Sequence, residues 1–357
     1  MRLKSIFLTN FRSWKNNRFN FSPQTTLIVG PNASGKTNIL EAIWFLSQGT
    51  SFRAEKTDQT INWGQKQAQI KGITVESRKT NKGQEKQFGI TLSQEEGRRI
   101  KKSFVLNHSL QTRKKFLKNL FAVVFRPEDI RLITGSPAKR RRFLDELLFG
   151  VDWQYYQSHR LYQRTLKQRN RLLTLIRERR AQERNLREWN LPLVKNGLII
   201  KQKRQELINF MNSFLTKNSL RSLSPLRLNY QSSEISLSLL EKNKNRDILR
   251  GSTGIGPQKD DFRFFNLSFP PEQNDISFWA SRGQQRLAIL ALKLAEKEFL
   301  KKLTNGNPII LLDDIFSELD DQCRHLLSEF SFNSQLIATT THRPKNKFWQ
   351  KEIELKG

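Results

Sequence analysis

The chain has 357 residues, 36% of them hydrophobic, which is enough to bury a core and to form two domains. No apolar run approaches the roughly 18 residues of a membrane-crossing helix, and a single cysteine, Cys323, with four scattered histidines argues against an internal disulfide, a cysteine-cluster metal site and zinc. The formal net charge of +30, from 63 Lys and Arg against 33 Asp and Glu, favours a polyanionic partner, because neutralising phosphates releases condensed counterions.

Residues 3–8 read as a first strand rather than the apolar core of a leader peptide, so a cytoplasmic protein is expected. Asn10 to Trp14 form the following turn, in which Arg12 is either an exposed structural arginine or one that approaches a ligand across the sheet. Thr26-Leu27-Ile28-Val29 reads as a buried strand. It runs into Gly30-Pro31-Asn32-Ala33-Ser34-Gly35-Lys36-Thr37, which fits G-x-x-x-x-G-K-[ST] at every fixed position, and a helix follows from Asn38 to residue 46. Strand, glycine loop and helix are the context a phosphate loop requires. Glycines at 30 and 35 let backbone N–H groups close around phosphates at a helix N-terminus. Lys36 can reach the β- and γ-phosphates, and the Thr37 hydroxyl can hold Mg2+.

Alternating segments at 69–75 and 86–92, joined by a turn-rich stretch at 80–85, predict antiparallel strands beside the phosphate-loop sheet. Ala122 to Phe125 is another buried-strand candidate. The character then changes: between Arg98 and Arg204 there are 28 Lys and Arg against 8 Asp and Glu, so two thirds of the net charge lies in under a third of the chain. Lys139-Arg140-Arg141-Arg142 open a helix. From residue 151 to 191 there is neither glycine nor proline, and Tyr155, Tyr162, Leu166, Leu173 and Ile176 recur at helical spacing. One helix of up to about 60 Å is expected there, ending at Trp189-Pro192, with a second over 198–215 packing back as a hairpin. The aromatic stripe is its seam, and Arg160, Arg164, Lys167, Arg171 and Arg179 remain free for phosphates.

Strand alternation returns at 226–230, which predicts an α/β head formed by 1–128 and 226–357, interrupted by a basic helical insertion at 129–225. A glycine-rich turn at 251–261 closes on Asp260-Asp261. Ser281-Arg282-Gly283-Gln284 open a helix whose N-terminus can receive an anion. Ile309 to Leu312 end in Asp313-Asp314, the form of a Walker B strand: Asp313 can orient Mg2+ and its waters, and Asp314 can polarise an attacking water.

Together these segments resemble the ABC-type ATPase heads of the SMC and Rad50 class, with Ser281-Arg282-Gly283-Gln284 in the place of the S-G-G-Q signature. Along nearly its full length the chain is similar to the RecF family of bacterial replication and recombination-repair proteins. The similarity is carried by Asn10-Phe11-Arg12, the phosphate loop, Gly49 to Arg53, Val124 to Asp129, Arg140 to Asp145, Lys167 to Asn170, the turn before Asp260, Ser281 to Arg286, and the Walker B and D-loop run at 311–320. The resemblance implies an ABC-type head that homodimerises around ATP and Mg2+. In that arrangement Gly30 to Asn38, Arg12 and Asp313 of one copy face Ser281, Gly283 and Gln284 of the other. It further implies slow, DNA-stimulated hydrolysis that resets the switch, binding to duplex DNA beside single-stranded gaps, and recombinase loading with RecR-type and RecO-type partners. The DNA-binding candidates are Arg140, Arg141, Arg142, Arg160, Arg164 and Lys167. Gln258-Lys259 stand where the family commonly has His-Arg, and a switch residue is expected among Thr340, Thr341 and His342. The alternatives are a non-hydrolysing ATP-dependent DNA clamp or another SMC-like ATPase; the basic insertion and the divergent signature disfavour a transporter subunit.

Overall fold

The computed structural model describes residues 1–75, 84–94, 100–217, 225–304, 306–314, 333–343 and 348–356. Cys323, the D-loop at 315–320 and most of the turn at 80–85 lie outside them. The chain divides into two compact units, one of residues 1–129 and 296–357 and one of residues 130–295.

The first unit is built on helix α1 (Lys36–Gln48). Eleven of its 13 residues are buried, including Ile39, Leu40, Ile43, Phe45 and Leu46. A helix apolar on every face must be covered on every face, and two sheets cover this one. On one side lie β1 (Arg2–Phe11), β2 (Trp14–Asn20), β4 (Gln67–Val75), β5 (Glu85–Ser93), β6 (Lys101–Leu106) and β7 (Ser109–Gln111), an antiparallel sheet in the order β2-β1-β4-β5-β6-β7. Their alternating burial agrees with one face turned to the core. The other sheet holds β3 (Thr25–Val29), β8 (Ala122–Phe125), β11 (Ile309–Leu312), β12 (Leu336–Thr340) and β13 (Lys351–Glu354), all parallel, in the order β13-β3-β12-β11-β8. Its three central strands are buried throughout: β11 is wholly Ile and Leu, and β3 and β12 join apolar residues to buried threonines. Short α2 (Arg113–Leu117) closes the core with Phe116 against Phe88 and Phe104.

The second unit begins with short α3 (Arg131–Thr134) and α4 (Pro137–Val151), then forms a hairpin of α5 (Trp153–Arg177) and α6 (Arg187–Lys217). Tyr155 meets Arg204 and Arg169 meets Asn190, so the two helices run antiparallel. The predicted seam is buried at Tyr155, Tyr162, Leu166 and Leu173. Its first helix is shorter than expected, at 25 residues or about 37 Å. Arg179 takes a left-handed φ of 61°, while its N–H and that of Arg180 cap the carbonyls of Ile176 and Leu175. That is a Schellman end closed by an arginine instead of a glycine. Pro192, expected to mark a break, sits inside α6.

Residues 226–295, grouped with the head in the sequence reading, pack in this second unit instead. The reason is local: β9 (Leu226–Gln231) pairs with β10 (Asp261–Asn266), and the Asn212 amide of α6 holds both the N–H and the carbonyl of Leu228, at 2.8 and 2.9 Å. Short α7 (Leu237–Lys242), α8 (Lys244–Arg250) and α9 (Ile276–Trp279) complete it, together with the first half of α10 (Arg282–Thr304).

Candidate functional site

Parallel strands present their C-terminal ends to one edge of the sheet, where α/β folds bind ligands. Here β3, β12 and β11 are neighbours, so Gly30, Thr340 and Asp313 lie at adjacent strand tips. Gly35 enters α1 with φ 91°, a conformation glycine adopts freely, and a Cβ there would come within 2.8 Å of the Trp14 ring. The Lys36 ammonium is buried and donates to the carbonyls of Gly30 at 2.7 Å and Pro31 at 2.8 Å, with no ion pair among the described residues. The Ser34 hydroxyl, also buried, has no hydrogen-bond partner among them. A buried cation with no carboxylate partner among the described residues, beside an unpartnered hydroxyl at the N-terminus of a helix, is the electrostatic form of an anion site.

Thr37 Oγ1 donates to Asp313 Oδ1 at 2.8 Å, and Thr339 Oγ1 lies 2.9 Å from the same oxygen. Burial pushes the Asp313 carboxyl up from its ordinary range, against the two threonine bonds and Arg53, and Glu128 adds to the rise. These oxygens are hard donors at the tip of a phosphate loop. One or two carboxylates completed by substrate phosphates is how Mg2+ is usually held, so the residues fit that ion. Asp314 has a left-handed φ of 48° and donates its N–H to Thr339 Oγ1 at 2.9 Å. Aspartate tolerates that conformation better than most residues, and such outliers cluster at working sites.

Arg12 does not reach across the sheet. Its Nε and Nη2 clamp Glu41 of α1 at 2.9 and 2.6 Å, and its Nη1 donates to the Gln59 carbonyl. Glu41 is fully buried and needs that partner, since an unpaired carboxylate in a core is costly. Arg12 therefore braces the loop helix. Among the switch candidates, Thr340 bonds the backbone of His342, while Thr339 touches Asp313 and Asp314. Thr339 was missed because the run at 336–342 gives no sign of which threonine faces the carboxylates. Arg53 was missed too: it is exposed, donates to Asn38 at 3.2 Å and acts on the Asp313 charge, yet in sequence it is one arginine among many.

In the second unit, Ser281 to Gln284 are exposed at the start of the 23-residue α10. Gln284 Oε1 accepts the Ser281 N–H at 2.9 Å and Ser281 Oγ accepts the Gln284 N–H at 3.3 Å, a reciprocal capping box.

The six basic candidates divide. Arg140 is buried, forks onto Asp261 at 2.6 and 2.9 Å and donates to the Gly135 carbonyl, so it is a structural ion pair and not a free phosphate ligand. Arg141 is held on the Asp260 carbonyl at 2.8 Å, and Arg142 pairs with Glu146 at 2.7 Å. By contrast Arg160, Arg164 and Lys167, with Arg171, are exposed and make no ion pair among the described residues. Spacings of four, three and four put them on one stripe about 16 Å long, on a helix that contains no Asp or Glu.

The family model described as the RecF/RecN/SMC N terminal domain matches residues 2–355. The DNA replication and repair protein RecF of Natranaerobius thermophilus is 34% identical over 364 residues, covering 96% of this chain and 91% of its own length. The protein of the same name from Bacillus cytotoxicus is 32% identical, over 96% and 92%. Among solved structures, the recombination mediator protein RecF-ATPrS in the RecFOR pathway is similar with TM-score 0.82 and 30% identity, over 96% of this chain and 92% of that one. The corresponding RecF-ATP structure gives 0.80 and 31%. An Smc head bound to the C-winged helix domain of ScpA, at 19% identity and TM-score 0.51, shares the fold.

Proposed function

The chain belongs to the RecF family of DNA replication and repair proteins, and from that premise we propose that it is an ATP-operated switch that closes as a homodimer on DNA. One observation carries the reading: the loop lysine, the unpartnered Ser34 hydroxyl and the Thr37–Asp313 pair converge at the tips of β3 and β11. Solved relatives with ATP in their names support ATP as the nucleotide.

In this reading the Lys36 ammonium leaves the Gly30 and Pro31 carbonyls for the phosphates, and Ser34 donates to the same anion. Thr37 and Asp313 would hold Mg2+, which would supply charge neutralisation to the phosphates. Asp314 orients and deprotonates the attacking water. Its carboxylate is one methylene shorter than a glutamate would be, which is in keeping with slow turnover. Ser281, Gly283 and Gln284 meet the nucleotide of a second copy, so that ATP cements the pair and hydrolysis releases it. The α5 stripe grips the phosphates of duplex DNA beside a gap. RecR-type and RecO-type proteins are the expected partners in loading recombinase, in keeping with the RecFOR pathway of the solved relatives, and the cytoplasm is the expected compartment.

The test follows dimerisation by light scattering, DNA binding and phosphate release together, with and without ATP and Mg2+, for the wild type and Lys36→Ala. ATP-driven dimerisation and tighter DNA binding, both lost in Lys36→Ala, support the switch. DNA binding indifferent to nucleotide and to Lys36 sinks it. Dimerisation without phosphate release identifies a non-hydrolysing clamp.

A further inference from the structure

Phe278 and Trp279 are 73% and 63% exposed, although both are large apolar side chains. They do not lie on a loose segment. Asp275 caps α9 by accepting the Ser277 N–H at 2.9 Å, and Arg263 of β10 holds the other oxygen of that carboxylate at 3.2 Å. Ile276 is buried beneath, and the Gln285 amide of α10 donates to the Ile276 carbonyl at 3.1 Å. The fold thus fixes α9 to the base of α10 and turns the two rings outward.

Only Ala280 separates Trp279 from Ser281. Successive Cα atoms are 3.8 Å apart, so the two residues lie within about 7 Å of each other. A surface that receives the Ser281 hydroxyl therefore also meets the indole. Charge says which kind of surface. Residues 264–281 contain Glu272 and Asp275 but no Lys or Arg, in a chain of net charge +30. A nucleic-acid backbone has far better places to bind on this molecule, whereas two rings in a stretch without a cation, whose Asp275 is already held by Arg263 and whose Glu272 is exposed, suit a second copy of a basic chain closing on the adjoining Ser281. Exposed aromatic anchors of this kind dominate the energy of protein interfaces.

We propose that Phe278 and Trp279 are the apolar anchor of the interface between two copies of this chain, seated beside the Ser281–Gln284 corner. The inference rests on the head-to-head reading above. It predicts that nucleotide alone does not hold the dimer: the phosphate contacts set when it forms, and the rings set how tightly.

Full-length protein with a slowly hydrolysed ATP analogue and Mg2+ is titrated by light scattering for the wild type, Phe278→Ala, Trp279→Ala and Trp279→Phe, with nucleotide binding to each measured separately. Each alanine variant is expected to weaken the dimer by roughly tenfold or more, Trp279→Phe to recover most of the loss, and nucleotide affinity and thermal stability of the monomer to stay at the wild-type level. A dimer constant unchanged in both alanine variants overturns the proposal and leaves the head-to-head reading intact. So does an intact dimer with lost DNA affinity, which makes the rings a nucleic-acid contact. A wild type that does not dimerise with nucleotide overturns the head-to-head reading and this inference with it.

Discussion

Thr37 Oγ1 lies 2.8 Å from Asp313 Oδ1, so the phosphate loop and the tip of β11 are joined across 276 residues of sequence. Asp313 is buried and its pKa is raised, chiefly by that burial. Removing the charge therefore separates function from stability. Asp313→Asn is expected to melt at or above the wild-type temperature in the absence of ligand. The gain on adding ATP and Mg2+, about 2.7 kcal/mol for the wild type at a hundredfold excess over Kd, should shrink or vanish. A variant that melts lower without ligand, yet keeps the full gain, would show that Asp313 holds the strand rather than the ion.

The second unit offers a pH test. Burial alone would raise the Asp145 pKa, but Arg204 at 2.7 Å and hydrogen bonds from His159 and Tyr155 outweigh it and bring it to about 2. A carboxyl whose folded pKa is depressed contributes stability above its unfolded pKa and loses it as pH falls through the folded value. The window is thus from about pH 4 down to about pH 2, and the contribution is on the order of 2 kcal/mol. Chemical denaturation across that window should show a loss in the wild type that Asp145→Asn lacks. Equal slopes for both proteins would refute the assignment. Arg204→Met, which leaves Asp145 and Asp260 buried without their cation, is expected to cost about 3–5 kcal/mol at neutral pH.

Much of this was legible in the sequence because the local rules agree. The apolar runs before Gly30 and Asp313 are continuous, as buried parallel strands require, and they came out as β3 and β11. The end of α5 was not legible, because the chain turns on Arg179 at φ 61°, where glycine or asparagine is the usual sign. Neither were the fates of the arginines. Arg140 and Arg160 look alike in a sequence of 63 cations, and only tertiary structure sets Asp261 against one and, among the described residues, no carboxylate against the other. At Gln258-Lys259 the two side chains divide in the same way. Gln258 is turned inward onto Tyr162 and the Ile255 carbonyl, and Lys259 is exposed.

The α5 stripe makes a quantitative prediction about salt. Each phosphate contact contributes about 0.9 to the slope of log K against log salt on duplex DNA. Replacing Arg160, Arg164 and Lys167 with Gln should lower the slope by about two to three and weaken binding equally for unrelated sequences. Arg142→Gln, which removes a residue already paired with Glu146, is the matched control and should change the slope little. Identical slopes for the triple variant and the wild type would remove α5 from the DNA surface. Arg140→Gln is no control at all, since it strands Asp261 and is expected to destabilise the unit.

Ser281 carries two demands that substitution can separate. As the N-cap of α10 its hydroxyl oxygen accepts the Gln284 N–H, and in the proposed dimer the same hydroxyl would face a γ-phosphate. Ser281→Ala removes both, so it should cost about 1 kcal/mol of stability and lose ATP-dependent dimerisation. Aspartate caps a helix as well as serine does, and its charge suits the N-terminal end of the helix dipole. Ser281→Asp is therefore expected to keep wild-type stability while its carboxylate repels the incoming phosphate, giving a folded, nucleotide-binding monomer. Thermal melts read the first demand and light scattering with ATP and Mg2+ reads the second. If Ser281→Asp dimerises as well as the wild type, no phosphate approaches this corner, and the exposed start of α10 is a capped helix end only.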